Sequence, residues 1–281
     1  MVRGLRSVVI NLDGDDARLR HMQKELERAG LAFERFAAVR GADVPAALRP
    51  YFTESPSPRI LSAGEVGCYA SHLAVCRRIA DGEMAAPVLV LEDDVCLAKD
   101  FANALDALLQ ALPAKWDLVR LSNDPKHACL VIADLIPGRK LVRYSKVPTS
   151  AGAILWNRSG AEKFLRRHSR MLPLDQDLRM AWMWDLDTYG VVPAPALRDR
   201  CGPSRIDAMA PAGWRGDERR RRLLRKSRTD SALQRHLHGL KAFGVKHWLT
   251  AEMINLAAPL IKHARQTEHG ADARLLLPIR R

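Results

Sequence analysis

Short apolar runs rich in β-branched residues alternate along the chain with longer segments whose apolar positions recur at helical spacing. The apolar runs predict strands at 7–12, 33–39, 88–91, 116–122, 140–147, 151–157 and 189–193. The helical segments are 15–28, 62–82, 100–111, 159–168 and 175–184. Strands that alternate with helices in this way are typical of an α/β fold whose sheet is mostly parallel.

Two of the predicted helices carry a recognisable start signal. Ser62 and Glu65 stand three residues apart, as do Ser159 and Glu162, and this is the spacing of a capping box. Residues 41–61, which precede the first of these helices, contain several prolines and predict a surface loop.

The composition changes near residue 214. Residues 214–246 contain eleven Lys or Arg and three Asp or Glu, a local net charge of +8. The apolar positions of this segment recur at helical spacing, namely Leu233, Leu237 and Leu240, with Phe243 and Trp248 further along. We therefore expect one α/β domain at 1–212 and a basic amphipathic helical extension at 213–281.

This extension has three possible roles. A basic amphipathic helix can lie in a membrane interface, where each basic residue near anionic lipid contributes about 1 kcal/mol. It can also be a solvated helix that packs on the domain, or a surface that binds nucleic acid. The sequence favours the membrane interface and leaves the other two roles open.

The whole chain is strongly basic, with a formal net charge of +13 and a pI near 10.0, which favours an anionic partner. The first apolar run ends at the charged residue Asp13 and is too short for a signal peptide or a membrane span. The five cysteines are odd in number, scattered and never in a CxxC pair. They predict reduced thiols in a cytoplasmic protein, with neither a disulfide framework nor a zinc site.

The strand at 88–91 ends in three consecutive carboxylates, Glu92, Asp93 and Asp94. Strand alternation directs the first and third of these to one side and the second to the other. Ligands of parallel sheets bind outside the carboxyl ends of the strands, and Mg²⁺ or Mn²⁺ prefers oxygen ligands together with substrate phosphates. No GxGxxG follows the first strand and no GxxxxGK[ST] is present, so the pattern favours metal-assisted handling of a phosphate-bearing substrate.

Five sequence blocks resemble those of one known family, glycosyltransferase family 25, and they occur in the family's order over roughly residues 7–206. They are VVINLDGDDAR (8–18), GEVGCYASH (64–72), VLEDDV (90–95), SAGAILWNRSGAEKFL (150–165) and LPLDQDL (172–178). The family comprises lipopolysaccharide-biosynthesis glycosyltransferases and includes bacterial β-galactosyltransferases and the collagen galactosyltransferases.

The resemblance implies a GT-A-like fold, that is, one Rossmann-like nucleotide-sugar-binding domain. It also implies a UDP-sugar donor and a divalent metal, Mn²⁺ or Mg²⁺. Asp94 and Asp93 are then the expected metal contacts, and Glu92 is expected to reach the ribose or a basic neighbour. The remaining residues expected near the donor are Asn11, Leu12, Arg18 and Gly152.

An inverting transfer needs a base that deprotonates the acceptor hydroxyl. The resemblance makes Asp175 the preferred candidate, with Asp177, Asp185 and Asp187 as rivals. Alternatively, Asp175 only starts the helix at 175–184, where a carboxylate is favourable in any case. Glu65 and His72 are further candidates. Each also has an alternative role: Glu65 as no more than the capping partner of Ser62, and His72 as a structural histidine. The pair Gln176-Asp177 departs from the family pattern and leaves the base ambiguous.

The expected function is transfer of a hexose to a lipid-linked glycan acceptor during synthesis of lipopolysaccharide, lipooligosaccharide or a related surface polysaccharide. The resemblance favours galactose, and it leaves glucose and N-acetylhexosamine open. The expected location is the inner face of the cytoplasmic membrane, reached through the basic extension. Two alternatives remain: a metal-dependent phosphohydrolase, and a non-catalytic basic protein that binds anionic lipid or nucleic acid.

Overall fold

A nine-stranded sheet organises the computed structural model, which describes residues 4–53, 61–166, 169–198, 218–266 and 276–278. The strands are β1 (Arg6–Asn11), β2 (Glu34–Ala37), β3 (Val88–Glu92), β4 (Val95–Leu97), β5 (Leu118–Arg120), β6 (Cys129–Ile136), β7 (Arg139–Tyr144), β8 (Ala153–Trp156), β9 (Thr188–Val192), β10 (Ala196–Arg198) and β11 (Leu276–Pro278). The large sheet has the order β11-β6-β7-β9-β5-β8-β3-β1-β2, and β4 pairs with β10 separately.

Most strands of the large sheet point the same way. Strand β1 is parallel to both β2 and β3, β5 is parallel to β9, and β6 is parallel to β11. Only β7 and β8 run opposite to their neighbours, so seven of the nine described strands share one direction. The α/β class and the mostly parallel sheet predicted from the sequence are confirmed.

Helices cover both faces of this sheet. They are α1 (Asp16–Ala29), α2 (Pro50–Thr53), α3 (Ala63–Ala80), α4 (Phe101–Ala111), α5 (Arg158–Phe164), α6 (Leu174–Arg179), α7 (Glu218–Asp230), α8 (Ala232–Phe243) and α9 (Val245–Gln266), with a 3₁₀ turn at Ala181–Met183. Strand alternation divides the core: Val88 and Val90 join the cluster beneath α3 and α5, whereas Leu89 and Leu91 join the cluster beneath α1 and α4.

One of the two predicted capping boxes is present. Ser62 Oγ accepts from the backbone N–H of Glu65 at 3.2 Å, and the Glu65 carboxylate accepts from the Ser62 N–H at 2.9 Å. The second prediction is wrong, because Asn157 caps α5 through the N–H of Arg158. Ser159 lies inside that helix and donates to Asp117 Oδ1 at 2.7 Å. The Ser159 hydroxyl therefore bonds to Asp117, which is distant in sequence, and does not form the predicted capping box with Glu162.

Strand β6 was missed by the sequence prediction. It forms a hairpin with β7 through a turn at Gly138, whose φ of 82° suits glycine. The predicted loop at 41–61 contains the short helix α2, and residues 54–60 lie outside the described part.

The C-terminal helices α8 and α9 pack beside β6. Phe243, Trp248 and Ala251 form a cluster with Ala128 and Leu130. Asn255 fixes the contact, since its Oδ1 accepts from the Ala128 N–H at 2.9 Å and its Nδ2 donates to Ser145 Oγ at 3.0 Å. The boundary at 212/213 stays a prediction, because it lies outside the described residues.

Apolar side chains on the outer side of α8 and α9 stay exposed: Leu233, Leu237, Val245, Leu249, Met253 and Leu256. Among the described residues, no helix is long and apolar enough to cross a membrane.

Candidate functional site

A cavity of about 290 Å³ lies where β1, β2 and β3 end. Its walls come from the end of β1, from α1, from the segment after β2, from the first turns of α3 and from the acidic end of β3. The lining residues include Leu12, Arg18, Arg40, Gly64, Cys68, His72, Glu92, Asp93 and Asp94. This is the edge at which the ligands of parallel sheets bind.

Small residues let α3 approach the end of β2 closely enough to form this cavity. A Cβ atom at Gly67 would lie 2.5 Å from the carbonyl oxygen of Val39, so only glycine fits there without movement of the backbone. The Val39 N–H donates to Ser71 Oγ at 2.8 Å, one turn further along α3. Packing of backbone against backbone thus holds α3 beside the carboxyl end of the sheet.

Asp93 is held by two side chains from the first strand and helix. Asn11 Nδ2 donates to Asp93 Oδ2 at 2.8 Å, and Arg18 Nη1 donates to Asp93 Oδ1 at 2.9 Å. Asn11 is itself buried and accepts at Oδ1 from Arg35 Nε at 3.0 Å. These bonds fix the acidic turn relative to β1 and α1, and they bring together three residues that the sequence predicts at the site.

Glu92 faces α3 rather than α1. Its Oε1 lies 3.4 Å from His72 Nε2 and 3.7 Å from Cys68 Sγ. Burial raises the pKa of the Cys68 thiol well above its usual range, and the carboxylates of Glu92, Asp175 and Asp94 raise it further. The cavity wall therefore combines a thiol, an imidazole and several carboxylates.

The carboxylates at the end of β3 fit the divalent metal that the sequence resemblance implies. Asp94 lines the cavity beside Asp93. Each oxygen of Asp93 accepts one hydrogen bond, and a carboxylate oxygen has capacity for a second interaction. Mg²⁺ and Mn²⁺ are commonly held by one or two carboxylates, with substrate phosphates and water completing the shell. Asp94 and Asp93 can therefore supply the protein's share of such a site.

The two aspartates of α6 occupy different surroundings. Burial raises the pKa of Asp175, whereas the charge of Arg120 lowers it. Asp177 is buried and accepts from Tyr69 OH at 2.7 Å, and Tyr69 OH in turn accepts from Arg170 Nη1 at 3.0 Å. Asp177 thus belongs to a polar network inside the core, and neither aspartate lines the cavity.

Arg120 is a cation inside the sheet, fully buried on β5. Its Nη2 donates to the Pro148 carbonyl at 3.3 Å, while its Nε and Nη1 have no hydrogen-bond partner among the described residues. Burial lowers the pKa of Arg120, and the charges of Asp175 and Glu92 are among those that raise it. Arg120 therefore links the acidic end of β3 electrostatically to α6.

Two further predicted residues have structural partners. Glu65 closes the capping box with Ser62 and does not line the cavity, although its neighbour Gly64 does. A Cβ atom at Gly152 would lie 2.9 Å from Val95 Cγ1, so this glycine permits close packing of β8 against the acidic turn. Its backbone oxygen accepts from the Glu92 N–H at 2.9 Å.

Three residues were missed as site candidates. Cys68 stands four positions before His72, a spacing that puts both on one face of a helix and that is visible in the sequence. Arg120 is a charged residue within an apolar run. Because arginine is rarely buried without a partner, this pattern also marks a candidate functional residue. Arg40 follows β2 in a loop, where no periodicity identifies it.

The family model described as glycosyltransferase family 25 (LPS biosynthesis protein) matches residues 5–176. The human inactive glycosyltransferase 25 family member 3 is 32% identical over 150 residues, which cover 50% of this chain and 24% of that protein. Human procollagen galactosyltransferase 2 is 28% identical over 140 residues, which cover 46% of this chain and 21% of that protein. The matched region spans about a quarter of the length of these relatives or less.

Two solved structures are also similar. A glycosyltransferase involved in the glycosylation of the major capsid of PBCV-1 aligns with a TM-score of 0.38 and 11% identity, over 73% of this chain and 98% of that one. An active-site mutant of LgtC aligns with a TM-score of 0.30 and 15% identity, over 75% and 99%. The mostly parallel sheet confirms the α/β class predicted from the sequence, and the family match agrees with the resemblance from which the GT-A-like fold is expected.

Proposed function

The chain belongs to glycosyltransferase family 25, and on that premise we propose that it transfers a hexose, with galactose as the preferred candidate, from a UDP-sugar to a glycan acceptor. The observation that carries this proposal is the cavity at the carboxyl ends of β1 to β3, which is lined by the three carboxylate residues at the end of β3 and in the turn after it. A nucleoside diphosphate and a divalent metal together match this combination of acidic and basic walls.

The donor diphosphate has two cationic side chains within reach of the cavity, Arg18 and Arg40. Arg18 is anchored on Asp93, so a phosphate that approaches it also approaches the proposed metal ligands. Asp94 and Asp93 would hold Mn²⁺ or Mg²⁺, which when bound neutralises charge that develops on the leaving diphosphate. Leu12 lines the adjoining wall at the end of β1, and Asn11 lies behind it, where it holds Asp93.

Asp175 is the proposed base for the acceptor hydroxyl. A base must be ionised at the working pH and within hydrogen-bond reach of the hydroxyl. Burial opposes ionisation of Asp175, and the positive charge of Arg120 favours it. Asp177 is the less suitable candidate, because its carboxylate already accepts from Tyr69 inside the core.

The proposed acceptor is a lipid-linked glycan at the inner face of the cytoplasmic membrane, in the synthesis of a surface polysaccharide. The support is the outer side of α8 and α9, where six large apolar side chains are exposed. Helix α7, which precedes α8 in the chain, carries exposed basic residues, Arg222, Arg225 and Lys226 among them. An apolar stripe beside basic residues matches the interface of an anionic bilayer.

A non-catalytic role is the second candidate, because several relatives carry the word "inactive" in their names. Under that role the cavity would bind a nucleotide sugar without turning it over, or would bind none. The two roles therefore differ in donor turnover rather than in fold.

The test is a panel of UDP-, GDP- and CMP-sugars, measured for binding and for slow hydrolysis with Mn²⁺ and with a chelator. Metal-dependent binding and hydrolysis of one UDP-sugar is the expected result. Binding without any hydrolysis or transfer would favour the non-catalytic role. A simple phosphate ester added to the panel tests the phosphohydrolase alternative, and release of inorganic phosphate from it would contradict the proposal.

A further inference from the structure

Three side chains of different chemistry converge at one wall of the cavity. Cys68 Sγ, His72 Nε2 and a Glu92 carboxylate oxygen all lie within 4.8 Å of one another. Cys68 and His72 are one helical turn apart on α3, and Glu92 meets them from the end of β3. Among the described residues, this is the one group of three possible metal ligands that are so close together.

Two of the three separations match those between ligands of a tetrahedral metal, and the third, between Cys68 Sγ and His72 Nε2, is no more than 4.8 Å. With metal–sulfur bonds of about 2.3 Å and metal–nitrogen or metal–oxygen bonds of about 2.0–2.1 Å, tetrahedral angles put sulfur and oxygen about 3.6 Å apart and nitrogen and oxygen about 3.4 Å apart. In the structure Cys68 Sγ lies 3.7 Å from Glu92 Oε1, and His72 Nε2 lies 3.4 Å from the same oxygen. The spacing of Cys68 Sγ and His72 Nε2 about Glu92 Oε1 therefore suits a single cation held by the three side chains.

The state of His72 is an independent observation that points to a ligand. Its side chain is 1% exposed, and neither ring nitrogen makes a hydrogen bond to any described residue. Buried polar groups nearly always have a partner, because an unsatisfied one costs about 1–3 kcal/mol. The 3.4 Å contact with Glu92 is within ion-pair range but is not a hydrogen bond. A metal bound at Nε2 would satisfy this nitrogen.

We infer that Cys68, His72 and Glu92 form a binding site for a zinc-class divalent cation. A thiolate and an imidazole favour Zn²⁺ or Co²⁺ over Mg²⁺ and Mn²⁺, which prefer oxygen ligands alone. This site is distinct in chemistry from the proposed all-carboxylate site at Asp93 and Asp94. Three protein ligands leave a fourth position on a tetrahedral ion, and because the same residues line the cavity, a water or an anionic oxygen such as that of a phosphate could take it.

The test is a titration of the metal-free, full-length protein with Co²⁺, followed by absorption spectroscopy. Ligation by Cys68 is expected to give a thiolate-to-cobalt charge-transfer band that saturates at one Co²⁺ per chain and is abolished by one equivalent of Zn²⁺. Cys68→Ser should remove the band, and Glu92→Gln should weaken Co²⁺ binding by at least about tenfold.

Two control variants isolate the site. Cys96 Sγ also lies near a histidine, 4.0 Å from His21 Nε2, so Cys96→Ser tests whether any such pair suffices. Asp94→Asn separates this inference from the proposed function, because it removes a carboxylate of the other site and no ligand of this one. Both variants should retain the band, whatever their effect on sugar transfer.

A measurement on the unmutated chain covers the case in which Cys68→Ser does not fold. Zn²⁺ should slow alkylation of Cys68 relative to Cys96, with each site quantified by mass spectrometry. Absence of a thiolate band in the wild type, persistence of the band in Cys68→Ser, or equal alkylation with and without Zn²⁺ would each overturn the inference.

Discussion

Arg18 Nη1 donates to Asp93 Oδ1 at 2.9 Å and so joins the first turn of α1 to the acidic end of β3. Both side chains are largely shielded from solvent, and Asn11 occupies the other oxygen of the same carboxylate. The turn that presents Asp93 and Asp94 to the cavity is thereby fixed by the last residue of the first strand and by the helix that follows it. The first helix thus contributes to the geometry of the acidic site as well as to the fold.

Replacement of Arg18 tests this coupling. Arg18→Met should lower the free energy of unfolding by about 1–3 kcal/mol, because it leaves the part-buried Asp93 carboxylate without its cation. It should also weaken UDP-sugar binding, because the acidic turn loses one of its two anchors. Urea unfolding and calorimetric binding check the two effects. Arg20→Met on the exposed side of the same helix is the control, and its unfolding free energy should change by no more than about 0.5 kcal/mol. Equal effects of both variants would refute the coupling.

Asp177 should make the stability of the protein depend on pH. Burial raises the pKa of this carboxyl to about 7, whereas an aspartate of the unfolded chain titrates at about 3.9. The folded state therefore binds more protons between these values. The stability that this group contributes is fully present below about pH 4 and is lost as the pH rises through about 7.

Asp177→Asn should remove this dependence, because the amide stays neutral and its oxygen still accepts from Tyr69 OH. Urea unfolding at several pH values between about 4 and 7.5 should show a shallower decline of stability for the variant, with a difference of at most about 1.4 kcal/mol per pH unit. Asp16→Asn, an exposed position on α1, should decline like the wild type. The prediction fails if the free energy of unfolding declines equally with pH in the wild type and in both variants.

Arg120 should set the pH at which the proposed base works. Its charge lowers the pKa of Asp175, so loss of that charge should raise this pKa and move the acidic limb of the pH–activity profile to higher pH. Arg120→Met retains bulk, and two of the three guanidinium nitrogens have no hydrogen-bond partner in the described chain to lose. Arg139→Met, which breaks a pair with Asp100, should leave the limb in place. An unshifted limb in Arg120→Met would argue against Asp175 as the base.

The exposed side of α9 should bind anionic membranes. Replacement of Leu249, Met253 and Leu256 together by serine should weaken binding to phosphatidylglycerol-containing vesicles by at least about tenfold, since each side chain loses burial in the interface. Folding should be little affected, because all three side chains are exposed. Leu197→Ser, at an exposed apolar position on β10, is the control. Vesicle co-sedimentation that does not distinguish the two variants would exclude this surface.

Local signals predicted much of the fold. The Ser62–Glu65 box marked the start of α3 because both of its partners lie within one turn. The same spacing at Ser159 failed because Asp117, 42 positions earlier, takes the hydroxyl instead. Strand β6 was missed because Asp134 interrupts its apolar run and its pairing with β7 shifts register twice.

The candidate site, like the fold, was predictable where its pattern is local and was missed where it depends on distant contacts. The acidic end of β3 was visible in the sequence, since an apolar run that ends in carboxylates is a local pattern. The partners that each of those carboxylates contacts were not visible in the sequence. Asp93 pairs with Arg18, 75 positions away, and Glu92 meets Cys68 and His72 of α3. Such contacts depend on how the helices pack on the sheet, and a single sequence does not report that packing.

Asp94 and its neighbours are proposed to hold the metal and the diphosphate of a nucleotide-sugar donor. The most direct measurement is UDP-galactose hydrolysis or transfer with Mn²⁺ and with chelator, for wild type, Asp94→Asn and the surface control Asp134→Asn. We expect activity only with metal, an unchanged rate in Asp134→Asn, and a loss of about 100-fold or more in Asp94→Asn, as is typical when a charge-stabilising group is removed. Equal turnover in Asp94→Asn, or turnover that survives the chelator, would contradict the claim.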